Sequence, residues 1–517
     1  MIDSQQVKWN CLRRFPPQII NDPQNAVFRV KGGGHIGQQM FLTFLCAERM
    51  IQKKTQAGQR RLIAFALFIL LSMPWLLLTA CQAEVDEVYK PADYGTGGSR
   101  FALSLAKKYP TRSAGSSQER QAGDLIVRTL KDMGYEPVIE SFSFTDDEGN
   151  TLRSRNISVT LPGQGFVRTD EEGRQTRFRR QVIVGAHYDS YFSAGTVSAY
   201  QQTTEPAPEP SPTPIPTPTP EPDSGTVTPR PSLWPTQTVE EPVPEPTLLD
   251  YDGIHDNASG VGALLTLAEK IFQEKMGYDV ILVAFGAGEA RQAGAHAFVN
   301  QMTREEIQST DAMYCIDAIY AGDKVYAHSG RNSLRGNYSK AYEMRRKLYE
   351  VTDVFYEHEL YTNNGYMLYT NQGNFDVFRE DINASVLYRE WTLTDSDYVP
   401  FDEAGIPIVF FESFDYDGKS LDSLKESKNP AFSTSSGMIR HTPFDTTAYL
   451  QMIMNQRRST NRQQDETSES IQDTDHLTRR VNNTAFVILE AIRKGVHDAE
   501  VQTEPLATSA ENTTSDH

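Results

Sequence analysis

The chain has 517 residues, 38% of them hydrophobic, enough for a sizeable core, and a formal net charge of −18. That balance argues against a nucleic-acid partner, which needs a basic face; residues 1–80 are net basic, so the remainder is more acidic than the whole. Its four cysteines, Cys11, Cys46, Cys81 and Cys315, are too few and too scattered for a disulfide framework or a cysteine-rich zinc module.

In residues 50–81, Lys53, Lys54, Arg60 and Arg61 precede about 18 mostly apolar residues and then Leu78-Thr79-Ala80-Cys81. Small residues before a cleavage point are what signal peptidases accept. The ending resembles a bacterial lipoprotein box, which makes Cys81 the expected lipidation site. The run is also close to the ~20 residues that span a bilayer, so an uncleaved membrane anchor is the alternative. Either reading tethers the protein to the extracytoplasmic face of a bacterial cell membrane. Residues 1–49 lie upstream of this basic region; if translation begins at Met50, they are a non-native extension without a function. Residues 82–95 read as an acidic spacer.

A helix is expected over 99–108, and Ala122, Leu125, Ile126, Leu130 and Met133 recur at helical spacing before Gly134 ends the run. Alternating Val138, Ile139, Phe142 and Phe144 predict a strand, and further apolar runs follow at 157–161, 182–186, 279–285, 312–317 and 406–411, with a helix at 261–273. Strands alternating with helices predict an α/β domain over 96–495, its sheet mixed, mainly parallel and sandwiched by helices. Residues 206–246 hold 15 of the 28 prolines and cannot form a core. Because the segments on either side each look like half of one site, this tract reads as a disordered insertion within one domain. A second, polar insertion is expected at 456–474, and a disordered tail at 496–517.

Five segments run into residues that bind metals: 182–186 into His187-Tyr188-Asp189, "YDGIHDNASG" with Asp256, "LVAFGAGEA" with Glu289, "YCIDA" with Asp317, and "IRHTPFD" with His441. Open α/β sheets bind ligands at the carboxyl ends of their strands. Two histidines and three carboxylates converging there suit zinc, and one bridging carboxylate plus two ligands per metal would hold a pair of ions.

Together with "RSAGSSQERQAGDLIVRTLKDMGYEP" and "SDYVPFDEAGIPIVFFES", these motifs resemble, in order, those of the co-catalytic di-zinc aminopeptidases of peptidase family M28, the bacterial leucyl aminopeptidase-like enzymes. The resemblance implies a zinc-exopeptidase (phosphorylase/hydrolase-like) fold and two zinc ions: His187 and Asp317 on one, Glu289 and His441 on the other, and Asp256 bridging. It gives Asp189 the task of orienting His187, implies a cis peptide after Asp256, and makes peptides the substrates, cleaved at their N-terminal residue. In relatives a glutamate serving as general base directly precedes the Glu289 position; here it is Gly288. That departure leaves open a catalytically weak or silent zinc-binding relative that binds peptides, and glutaminyl-cyclase-like chemistry is a further alternative. Restoring the pair by Gly288→Glu is expected to raise turnover. His255 stands either as a surrogate base or as a solvated loop histidine.

Overall fold

The computed structural model describes residues 88–204, 244–272, 274–334, 338–361, 366–370, 374–379, 383–389, 392, 394–417, 423–462 and 474–502. Its strands are β1 (Val138–Thr145), β2 (Thr151–Leu161), β3 (Phe166–Thr169), β4 (Gln175–Phe178), β5 (Gln181–His187), β6 (Asp279–Phe285), β7 (Thr310–Ile316), β8 (Lys324–His328), β9 (Leu368–Thr370), β10 (Asn374–Arg379), β11 (Ala384–Arg389), β12 (Ile408–Phe414) and β13 (Glu500–Val501). Eight of them form one sheet in the order β1-β2-β6-β5-β7-β12-β8-β9. The inner strands β6, β5, β7 and β12 are parallel, whereas the β1–β2, β2–β6 and β12–β8 ladders are antiparallel.

The inner strands are apolar at consecutive positions because the sheet is covered on both faces. Val182, Val184 and Ala186 of β5 point into a core shared with the helices Gly97–Lys108, Ser259–Ile271 and His476–Arg493, through Leu105, Leu264 and Ile488. Ile183 points the other way, with Val283, Met313 and Cys315, towards Ala295 and Phe401 of the helices Ala293–Gln301 and Val399–Glu403. The fold class expected from the apolar runs is the one observed.

One junction matters for the site. A Cβ at Gly260 would lie 2.6 Å from the Ile316 carbonyl oxygen, so only glycine lets the helix Ser259–Ile271 begin against the end of β7. Asn257 Nδ2 donates to that same carbonyl (2.7 Å), and its Oδ1 accepts from Gly260 N (3.0 Å). The residue after Asp256 is thereby tied to the residue before Asp317. The Asp256–Asn257 peptide is cis, as is Asp317–Ala318.

The expected boundaries shift at both ends. The part of the 82–95 spacer that is described docks on the domain: Tyr89 stacks on Phe486 at 3.6 Å, and Asn482 Nδ2 donates to the carbonyls of Pro91 (2.6 Å) and Gly95 (2.8 Å). The tail expected from 496 continues as ordered chain to 502, because β13 pairs with β3 through Val501 and Phe166. The helix Thr447–Arg462 runs into the expected 456–474 insertion, of which 463–473 lie outside the described residues. Also outside them are 1–49, the 50–81 segment with Cys81, and the proline tract up to 243.

Candidate metal centre

β5, β6 and β7 are parallel, so their carboxyl ends share one edge of the sheet, and all five expected ligands meet there. His187 is the last residue of β5, Glu289 lies in the turn after β6, and Asp317 follows β7 directly. Asp256 precedes the helix Ser259–Ile271, and His441 lies in the loop before the helix Thr447–Arg462. They form two triads, His187 with Asp256 and Asp317, and Asp256 with Glu289 and His441, each with ligand atoms within 4.8 Å of one another. Asp256 faces both: Oδ1 lies 3.3 Å from His187 Nε2, and Oδ2 lies 3.3 Å from His441 Nε2. Asp317 Oδ1 is 3.5 Å from His187 Nε2, and Glu289 Oε2 is 3.1 Å from His441 Nε2.

Neighbouring side chains brace the backbone at Glu289 and Asp256 and contact the side chains of the other ligands. Both Asp189 oxygens accept from the turn, from Gly288 N (2.8 Å) and Glu289 N (3.1 Å). Asp189 Oδ1 also lies 3.3 Å from His187 Nδ1, the partner expected for it, although that nitrogen makes no well-formed hydrogen bond among the described residues. Glu119 holds the same turn, accepting from Ala287 N (2.9 Å), and burial, with the Asp189 charge, pushes its carboxyl up to about 8. The Asp445 carboxylate accepts from the amides of His255 (2.7 Å) and Asp256 (3.0 Å). Ser396 Oγ donates to Asp317 Oδ2 (2.6 Å), and Tyr191 stacks on the half-exposed His441 ring at 4.0 Å.

Arg112, fully buried, spans two of these segments. Its guanidinium donates to the carbonyls of Tyr188 (2.8 Å), Asp252 (2.8 Å) and Gly253 (2.7 Å), tying the residue after His187 to the approach to Asp256. "RSAG" carries this arginine, yet only the folded chain reveals that its partners are backbone oxygens.

The donor set has the chemistry of a cation site. Asp256 Oδ1, Glu289 Oε1 and Asp317 Oδ1 are buried, and no hydrogen bond reaches them among the described residues. Orphaned carboxylate oxygens are too costly to bury without a partner. Burial and the Asp256 charge hold Glu289 above the ordinary carboxylate range. Burial opposes the charge on His187, but Asp317, Asp189 and Asp256 hold its pKa well above the usual imidazole value. Arg440 Nη1, 3.7 Å from Asp317 Oδ1, supplies positive charge on one side of the cluster, and nitrogen and oxygen donors of this kind fit zinc.

The profile of peptidase family M28 matches residues 168–462. The chain belongs to that family. The alkaline phosphatase isozyme conversion protein of Escherichia coli K12 is 24% identical over 344 residues, covering 66% of this chain and 79% of that protein. Among solved structures, the zinc aminopeptidase BSAP of Bacillus subtilis is 11% identical, with 78% and 97% of the two chains covered and a TM-score of 0.42. A glutaminyl cyclase of Porphyromonas gingivalis is 15% identical, with 77% and 98% covered and a TM-score of 0.42. Membership of M28 fits the order in which the ligand-bearing segments follow one another.

Two expectations about the missing base are corrected. His255 is neither solvated nor a surrogate base. It is fully buried, its Nδ1 accepts from Ala321 N (3.2 Å), and its Nε2 faces Glu426 Oε1 at 3.2 Å, so both ring nitrogens are engaged away from the ligands. Gly288→Glu does not simply restore a pair. A Cβ at 288 would lie 2.4 Å from His187 Cβ and 2.6 Å from its Cγ, so a side chain there collides with a ligand. Glycine at 288 is what allows the turn to close over His187.

Proposed function

We propose that this M28 protein is a zinc metallopeptidase of aminopeptidase type, hydrolysing the N-terminal residue from peptides. His187 and Asp317 would hold one zinc, Glu289 and His441 the other, and Asp256 both. The observation that carries the reading is the pair of triads sharing Asp256, with three buried ligand oxygens left without hydrogen bonds among the described residues. When bound, two such ions would supply polarisation of a scissile carbonyl and a lowered pKa for water. The residues around the ligands position them. Asp189 and Glu119 fix the turn that presents Glu289, Asp445 fixes the amide of Asp256, and Ser396 fixes the second oxygen of Asp317. The ligands line a cavity of about 260 Å³.

Gly288 supports a second reading, a zinc-binding relative that holds peptides without cutting them. The basic-apolar run ending at Cys81 supports an extracytoplasmic, membrane-tethered location, which a diacylglyceryl group found on Cys81 by mass spectrometry would test. Elemental analysis after zinc reconstitution and an aminoacyl p-nitroanilide assay test the function. The expected results are close to two zinc ions per chain, and turnover that a chelator removes and zinc restores. Zinc binding without turnover would favour the second reading, and failure to bind zinc would refute both.

A further inference from the structure

Apart from the exposed Asp395, which pairs with Arg331, the cavity beside the ligands holds one carboxylate for which neither the triads nor their braces account. Asp397 lines it together with His187, Gly288, Glu289 and Asp317, and is 1% exposed. Both of its oxygens are buried without a hydrogen bond among the described residues. It does not cap the helix Val399–Glu403 that follows, since neither oxygen accepts from that helix's amides. Its neighbour Ser396 bonds to Asp317, so the segment that carries Asp397 is tied to the ligand set. Buried carboxylates that serve the fold are normally satisfied by donors of the protein. One with two orphaned oxygens, facing a cavity, is arranged for a donor that arrives with the substrate or its water.

We propose that Asp397 is the proton acceptor of this site, taking up the general-base work for which Gly288 has no side chain. The proposal rests on the peptidase reading above and deepens it. As the water oxygen bonds to the scissile carbonyl carbon, a water proton passes to the Asp397 carboxylate. As the carbon–nitrogen bond breaks, that proton passes to the leaving nitrogen, so water is consumed, an amine and a carboxylic acid form, and Asp397 returns to its starting state. A positioned carboxylate in hydrogen-bond reach of the attacking water can serve as a general base.

The test is Asp397→Asn in the zinc-loaded protein. Removing a structural carboxylate lowers stability, whereas removing an unsatisfied buried charge does not. The expected variant therefore keeps its zinc and melts no lower than wild type. Its turnover falls by about 10²-fold or more, the range of a positioned base, KM changes little, and the acidic limb of the pH profile disappears. Undiminished turnover overturns the proposal, and so does a markedly lower melting temperature, which would make Asp397 a structural residue. If the wild type cuts no aminoacyl substrate, the peptidase reading fails, and an amino-acid hydroxamate decides the assignment separately, because its hydroxyl proton needs an acceptor in the cavity. Binding weakened by about tenfold or more in Asp397→Asn supports the assignment, and equal binding overturns it.

Discussion

Adding one carbon at residue 288 puts the closeness of the turn to His187 under direct test. In Gly288→Ala the new Cβ would lie 2.4 Å from His187 Cβ and 2.6 Å from Cγ, where relaxed carbon contacts sit at about 3.5 Å or more. His187 has little room to yield, since β5 is paired with β6 on one side and β7 on the other. The imidazole must therefore move by roughly an ångström, while metal–ligand distances are held to within about 0.2 Å. Overpacking of this kind costs about 1–3 kcal/mol. Spent on the ligand, this weakens zinc binding by about 5- to 150-fold, at tenfold per 1.4 kcal/mol. Competition against a chromophoric chelator measures the affinity, with urea unfolding of the zinc-free protein as the control. Zinc affinity within about twofold of wild type would refute the reasoning. Gly288→Glu carries the same Cβ, so it is expected to lose zinc rather than gain activity.

Arg112→Ala removes three short charged hydrogen bonds to backbone carbonyls, each worth about 1.5–3 kcal/mol, and should lower the unfolding free energy by at least about 3 kcal/mol in urea. Arg112→Lys should not rescue it, because an ammonium cannot span the same fork; a lysine variant as stable as wild type would count against the clamp. Burial alone would raise Glu426, but Arg440 and His255 hold it down to about 2. Its contribution, roughly 3 kcal/mol, is present above about pH 4.5 and lost as the pH falls towards 2, which urea midpoints from pH 2 to 7 in wild type and Glu426→Gln would reveal as a steeper acid loss in wild type. Replacing 206–246 with a short Gly/Ser linker should leave zinc stoichiometry and melting temperature unchanged, since loop length costs little free energy; loss of folded protein would show that the tract is structural.

Much of the site could be read in one dimension because strands deliver their last residue to a common edge. His187 and Asp317 stand at the ends of apolar runs, and Glu289 lies four residues past another, so position along the run marked them. What escaped depends on contacts between distant segments. His255 reads like a loop histidine until Glu426, 171 positions away, is found against its ring. Asp397 lies in the motif "SDYVPF", but its interest comes from the donors that fail to reach it, which no spacing encodes. Gly288 read as a lost side chain, but whether a side chain would fit there is a matter of ångströms from His187. The docked segment before residue 96 was missed because Tyr89 finds its partner, Phe486, almost 400 positions later.

The order of strands across the sheet has a consequence for chain integrity. β5 is the last strand ahead of the proline tract, yet it sits in the interior of the sheet, between two strands that come after the tract. Arg112, also ahead of the tract, grips carbonyls on its far side. The covalent link through residues 206–246 is thus redundant once the protein has folded. A protease cutting there would leave two polypeptides interlocked through the sheet, separating on a denaturing gel while eluting as one species, with all five ligands still in place.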